Sequence, residues 1–234
     1  MMNIVITGGS KGMGKAMAEK FASEGNKIII CSRNEKELSA TANELNEKFV
    51  NSVTYFSADL TKKNQVQKFA TFILEKKIPV DILINNAGSF IPGSVYNEEE
   101  GTLEKMIATN LYSAYHLTRA LLPSMMKRKQ GHIINISSIA ALKAYSNGGS
   151  YSISKFAMMG FSKNLREEMK PFNIKVTTVY PGAVYTSSWE GANIPASRIM
   201  EVNDIAETVY TCTILSPQAC VEDIIIRPLP GDLP

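Results

Sequence analysis

At 234 residues, with 44% hydrophobic and 20% charged side chains and a formal net charge of +3, the chain is long enough to bury one α/β core and needs no second domain. So small a charge, with no basic block, argues against nucleic acid or a membrane surface as partner, and no apolar stretch reaches the ~20 residues that span a bilayer. Cys31, Cys212 and Cys220 lack paired or metal-ligand spacing and His116 and His132 are the only histidines, which points to a reducing cytoplasm and to no metal site.

Taken in chain order, short apolar runs fall at 4–7, 27–31, 53–57, 81–85, 132–137, 174–180 and 223–227, with helical patterns between them at 12–23, 35–48, 63–76, 102–129, 150–170 and 204–215. Most of the runs are continuously apolar rather than alternating, the pattern of strands buried on both faces. Strict alternation of strand and helix predicts an α/β fold: a doubly wound parallel seven-stranded sheet with helices on both faces, right-handed crossovers, and a single domain over 1–234. The first run opens at Asn3, which is expected to leave no room for a cleaved signal. Lys127-Arg128-Lys129, the densest basic run, reads as the solvated end of the fourth helix, where the macrodipole favours cations. Breaks at Asn147-Gly148-Gly149 and Pro181-Gly182 fall where strands meet helices, so no linker divides the chain. Ligands of such a sheet bind at the C-terminal ends of its strands.

After the first strand comes Thr7-Gly8-Gly9-Ser10-Lys11-Gly12-Met13-Gly14. Gly8, Gly12 and Gly14 let a turn tighten so that backbone N–H groups and a helix N-terminus approach a pyrophosphate. Glycines in such a turn also serve folding alone; the position after the first strand favours the phosphate. At the end of the second strand, where an acid would hold the ribose of an unphosphorylated dinucleotide, the chain carries Ser32 and Arg33. With Lys11 they offer a hydroxyl and two cations to a 2′-phosphate, so NADP(H) is expected in preference to NAD(H).

Tyr151-Ser-Ile-Ser-Lys155 places a phenol and an ammonium on one helix face, with Cβ atoms about 5–6 Å apart, and Ser138 lies thirteen residues upstream of the tyrosine. A tyrosine acting as acid and base near pH 7 needs its pKa of about 10 lowered by roughly 3 units, or about 4 kcal/mol. An ammonium about 5 Å away contributes about 3 kcal/mol at an effective dielectric near 20, and a cationic oxidised nicotinamide would supply much of the rest. Alone, Tyr-x-x-x-Lys is an ordinary helix pair. With Ser138 and the glycine turn it reads as a proton-transfer site.

These motifs, together with Asp59-Leu60, Asn85-Asn86-Ala87-Gly88, Asn110 and Pro181-Gly182-x-x-x-Thr186, run in order over nearly the whole chain. In them the chain resembles the short-chain dehydrogenases/reductases, Rossmann-type oxidoreductases. The resemblance implies that Asp59 hydrogen-bonds the adenine amino group with Leu60 beside the ring, and that Asn86, Ala87 and Gly88 line the adenosine side of the cleft. It implies Tyr151 as general acid in reduction and general base in oxidation. Lys155 would lower its pKa and hold the nicotinamide ribose, Ser138 would bond the substrate oxygen, and Asn110 would hold a water linking Lys155 to solvent. Pro181, Gly182 and Thr186 would bind the carboxamide. From the residues alone, Asp59 also reads as a helix N-cap, Asn110 as a buried amide pinning a helix, and Ser138 as closing a turn.

The expected reaction is hydride transfer between NADP(H) and a small carbonyl or alcohol substrate, the protein supplying position, one proton and an oxyanion partner. Substrate identity is expected in a short lid at 187–203. There Trp189, with Ala140, Leu142 and Tyr145 after Ser138, gives a mixed apolar and aromatic pocket; Trp189 reads equally as packing the loop onto the body. The run 221–234 departs from the glycine-rich ending of the family's fatty-acid-synthesis ketoreductases, which points away from an acyl-carrier substrate. An apolar seventh strand at the sheet edge needs covering, and the family's habit of packing through the Asn110 and Tyr151 helices makes a homodimer or homotetramer the expected assembly. The competing reading is a non-catalytic NADP(H)-binding sensor, which is expected to have lost the tyrosine or the lysine.

Overall fold

In the computed structural model of the protein, which describes residues 1–186 and 195–231, strand and helix alternate from Asn3 onward. β1 (Asn3–Thr7), β2 (Lys27–Ser32), β3 (Val53–Ser57), β4 (Ile82–Asn85), β5 (Gly131–Ile136), β6 (Ile174–Pro181) and β7 (Asp223–Ile226) form one parallel sheet in the order β3-β2-β1-β4-β5-β6-β7. The helices are α1 (Gly12–Ser23), α2 (Glu35–Lys48), α3 (Lys63–Glu75), α4 (Thr102–Ile107), α5 (Ser113–Arg128), α6 (Gly149–Met169) and α7 (Val202–Thr213).

The apolar runs become strands because helices cover both of their faces. Ile4 and Ile6, Ile28 and Ile30, and Ile82 and Ile84 pack with Phe21 of α1, Leu45 of α2 and Val209 of α7. Their neighbours Val5, Ile29, Leu83 and Ile133 pack on the opposite side, against Phe69 of α3, Leu121 of α5 and Leu165 of α6. Cutting one of these buried aliphatic side chains to alanine would cost about 2–5 kcal/mol. The two edges read differently: β3 exposes Thr54 and Tyr55, and β7 alternates exposed and half-buried positions.

The helix expected over 102–129 is interrupted. Ala108–Tyr112 form a π-helical turn, closed by the Ser113 N–H donating to the Ala108 carbonyl, and Lys129 is a left-handed cap at φ 50° rather than the last helical residue. A π turn adds one residue to the helix and recurs at functional sites; this one carries Asn110, fully buried. α7 starts earlier than expected because Glu201 and Asp204 cap each other's backbone N–H groups. Of the lid expected at 187–203, residues 187–194 and with them Trp189 lie outside the described residues. The rest is a 3₁₀ turn, Ala196–Arg198, and the start of α7. No described helix is long and apolar enough to cross a membrane.

His132 of β5 lies buried with Nε2 2.7 Å from Thr177 Oγ1. The threonine hydroxyl donates onward to the Val221 carbonyl at 2.6 Å, so the imidazole is the donor of the pair. Burial, and secondarily Lys175, lowers the His132 pKa from 6.5 to about 4. The folded protein leaves it neutral where the unfolded chain binds a proton, so stability is unaffected above pH 6.5 and declines as pH falls toward 4. This one group accounts for about 3 kcal/mol over that window. His132→Gln, which keeps a donor toward Thr177, should flatten the pH dependence of the urea-unfolding free energy by about that amount; an unchanged slope would contradict the assignment.

Candidate active site

The C-terminal ends of β1 to β4 open into a cleft of about 250 Å³. Gly8, Ser10, Lys11, Gly12, Met13, Gly14, Ser32, Arg33, Asp59, Leu60, Asn86, Ala87, Gly88 and Thr186 line it, all singled out from the sequence; Cys31, Ala58, Thr61, Thr109 and Ser113 join them without having been expected. Gly8 and Gly12 take left-handed φ values of 67° and 54°, which glycine adopts freely. At Gly14 a Cβ would meet the Gly8 carbonyl oxygen at 2.1 Å. α1 starts at Gly12 with no capping side chain, which leaves its first N–H groups unsatisfied at the cleft wall. Lys11 and Arg33 are exposed on the same wall, and neither side chain has a hydrogen bond or ion pair among the described residues.

Six residues expected at the cofactor, Thr7, Gly9, Tyr151, Lys155, Pro181 and Gly182, are absent from the lining, and two that line it, Asn86 and Asp59, take unforeseen roles. Thr7 is buried: its Oγ1 accepts from the Asn86 and Ala87 N–H groups at 3.0 and 2.9 Å and donates to the Ile84 carbonyl. Asn86 returns its amide to the Thr7 and Gly8 carbonyls at 2.9 and 3.2 Å. The pair latches the glycine turn to the segment after β4, so it shapes the cleft. Gly9 packs against Ile30, where a Cβ would come within 2.7 Å. Pro181 ends β6 in the core, and the Gly182 N–H bonds the Ile226 carbonyl at 2.8 Å. Asp59 closes a turn instead of capping α3: Oδ1 accepts from the Thr61 N–H at 3.0 Å and its hydroxyl at 2.7 Å.

Beyond Gly88 the cleft meets the four expected catalytic residues. A Cβ on Gly88 would lie 3.2 Å from Asn110 Oδ1 and 3.6 Å from Lys155 Nζ, so glycine keeps the two halves continuous. Tyr151 stands in the first turn of α6, and Lys155 follows one turn later with Nζ 5.7 Å from the centre of the phenol ring. Ser138, just past β5, closes a 3₁₀ turn (Ile139–Ala141) by accepting from the Ala140 N–H at 3.1 Å, and its hydroxyl is close enough to the Tyr151 phenol to favour the phenolate. Alternating serines around Tyr151 tie α6 to three different segments. Ser150 binds Glu98, Ser152 donates to the Ala140 carbonyl at 2.8 Å, and Ser154 accepts from Asn110 Nδ2 at 2.9 Å. Asn110 spends both amide protons, on Ser154 and on the Ser89 carbonyl at 3.0 Å, while Oδ1 accepts from the Ser89 N–H at 2.8 Å. Its side chain pins the π turn, the alternative that the sequence left open.

The neighbouring ammonium does not lower the phenol pKa in this cleft. Burial raises Tyr151 to about 12, with Tyr145 adding to the rise and the Ser138 bond opposing it. Burial likewise lowers Lys155 to about 8; its ammonium donates to the Ile136 carbonyl at 3.2 Å and has no carboxylate partner among the described residues. Mutual attraction was counted from the sequence without the desolvation of both groups, and desolvation is the larger effect. Of the residues expected to form the substrate pocket, Ala140 is buried, whereas Leu142 and Tyr145 are exposed. Phe90, unsignalled by any motif, meets the Tyr151 ring edge-on at 4.8 Å and remains 44% exposed.

A doubly wound sheet, a glycine-turn cleft and the adjoining serine, tyrosine and lysine together define an oxidoreductase. Residues 2–195 match the family model described as short chain dehydrogenase, and the chain belongs to that family. It is 32% identical over 238 residues to sepiapterin reductase of Chlorobaculum tepidum, across 98% of this chain and 97% of that protein. Among solved structures it is similar to an alcohol dehydrogenase from the archaeon Thermococcus sibiricus complexed with 5-hydroxy-NADP, with a TM-score of 0.91, 26% identity and coverage of 100% and 99% of the two chains. A metagenomic short-chain oxidoreductase in complex with NADP gives a TM-score of 0.85 at 30% identity, over 97% and 96%.

Gly14→Ala tests the crowding of the turn. With backbone as the clashing neighbour, the variant should lose about 2 kcal/mol, seen as a fall of about 5 °C in Tm. An unchanged melting curve would mean that the turn is looser than the geometry requires.

Proposed function

We propose that the protein transfers a hydride between NADP(H) and a small carbonyl or alcohol compound, with Tyr151 giving the proton in reduction and taking it in oxidation. The observation that carries this reading is the placement of Lys155 5.7 Å from the Tyr151 ring centre, with Ser138 acting on the same phenol, reached through Gly88 from the glycine-turn cleft. The residues present fit a phosphorylated dinucleotide: a turn too crowded for any side chain at Gly14, an uncapped helix N-terminus, and two cations that line the cleft with Ser32 and have no partner among the described residues. Bound there, the cofactor would supply or accept the hydride.

The chain's own groups then divide the remaining work. N–H groups at Gly12, Met13 and Gly14 receive the pyrophosphate, Lys11, Ser32 and Arg33 receive the 2′-phosphate, and Asp59 and Leu60 hold the adenine. Thr186, on the cleft wall, would bind the carboxamide. Lys155 holds the ribose hydroxyls and, with the phenol, the proton path; Ser138 donates to the substrate oxygen as charge develops on it. The ligands of the two similar structures, 5-hydroxy-NADP and NADP, support the cofactor, and a sepiapterin reductase among the relatives supports a small carbonyl substrate. Free cysteines fit a cytoplasmic setting, and the 58% exposure of Ile225 on edge strand β7 favours a homo-oligomer. No observation favours the non-catalytic sensor, since serine, tyrosine and lysine are all present together.

Tyr151→Phe should lower kcat by about 10²–10⁴-fold while NADPH binding stays within about twofold; full turnover by the variant would refute the assignment. Replacing Lys11 and Arg33 together by alanine should cut kcat/KM for NADPH about 10–100-fold and leave NADH nearly unchanged. Wild-type kinetics with equal or better efficiency for NADH would contradict the cofactor preference.

A further inference from the structure

Resting on the reading that Tyr151 carries the proton, we propose that Glu98 is its positioning residue: from the loop between β4 and α4, its carboxylate fixes the head of α6 and thereby the place of the phenol. Both carboxylate oxygens are spent on Ser150, the residue immediately before Tyr151. Oε2 accepts from the Ser150 N–H at 3.1 Å and Oε1 from its hydroxyl. Ser150 is wholly buried, so neither group has water as a substitute.

α6 has no cap of its own, because its N-cap is Gly148. Glu98 supplies one from a distant segment, and a carboxylate at a helix N-terminus is also favoured by the macrodipole. The clamp is wider than one side chain. The Gly93 N–H donates to the Asn147 carbonyl at 3.2 Å, and Ser94 Oγ donates to Asn147 Oδ1 at 2.8 Å. The two backbones touch so closely that a Cβ at Gly149 would lie 2.4 Å from the Gly93 carbonyl oxygen and 2.8 Å from Glu98 Oε2. The same loop carries Phe90, whose ring meets Tyr151. Ser150 is therefore one of three anchors of the tyrosine's turn, and the one held by a charged group.

Glu98 does not line the dinucleotide cleft, so its loss should act on the proton-transfer step and spare cofactor affinity. Misplacement of a reacting group by about 1 Å can lower a rate about 100-fold.

The test compares wild type, Glu98→Ala, Glu98→Gln and Tyr151→Phe in three measurements: NADPH affinity by fluorescence titration, reduction of 9,10-phenanthrenequinone by NADPH, and amide hydrogen exchange of the cofactor-free protein. Glu98→Ala should exchange about tenfold faster over 150–154 with β1 and β4 unchanged, and lose about 10–100-fold in kcat with NADPH affinity within about twofold. Glu98→Gln, whose amide oxygen still accepts from the Ser150 N–H, should recover most of both. Wild-type exchange over 150–154 in Glu98→Ala overturns the proposal, and so does a joint loss of kcat and NADPH affinity that glutamine does not restore. If wild type fails to reduce the quinone while Glu98→Ala still loosens 150–154, the failure falls on the proposed function and the clamp stands.

Discussion

Lys155 keeps an ammonium out of water with the Ile136 carbonyl as its hydrogen-bond partner, and the Tyr151 phenol shares that enclosure. Each group is pushed toward its neutral form, the lysine to about 8 and the tyrosine to about 12. An enclosure that disfavours charge in this way holds the proton on the phenol until something polar or cationic enters beside it. On the proposed reading that is the dinucleotide, and the poor acidity of the site without it is the counterpart of its use with it.

Such an enclosure needs a rigid wall, and the fold builds one from polar staples across the sheet. Asn85 of β4 donates to Asn135 of β5 at 2.8 Å and to Thr118 of α5 at 3.0 Å, and Asn135 donates to Ser162 of α6 at 2.8 Å. Two strands and the two helices that flank the site are thus fastened in the core. Thr7 and Asn86 do the same for the glycine turn, and Arg166 fastens α6 to the far edge through the Val176 carbonyl and Asp223. These bonds fix one arrangement among the apolar alternatives, although Asn85 Oδ1 and Asn86 Oδ1 stay buried without a partner among the described residues.

The interior strands were legible because covering both faces demands continuous apolar runs such as Ile28 to Cys31. The cofactor turn was legible because close approach of backbone to phosphate demands glycine at Gly8, Gly12 and Gly14. Residues whose part depends on a distant contact left no local pattern. Glu98 meets Ser150 across a separation of 52 positions, Phe90 meets Tyr151 from a distant loop with no motif, and the π turn at Asn110 is invisible to a helical period. The alternating serines at 150, 152 and 154 were in plain view as a pattern, but only the fold shows that each grips a different segment. The tyrosine pKa moves opposite to the expected direction for the same reason: attraction between neighbours can be counted from spacing, whereas desolvation is a property of the packed whole.

The most direct test is the ionisation of Tyr151 followed by NMR of protein carrying 13C at the tyrosine Cζ, with its signal assigned by its absence in Tyr151→Phe, free and saturated with NADP+. The account predicts a pKa of about 12 in the free protein and a fall of about 3 units or more on saturation. A phenol already ionising near neutrality in the free protein, or one whose pKa does not move when the cleft is filled, would contradict it.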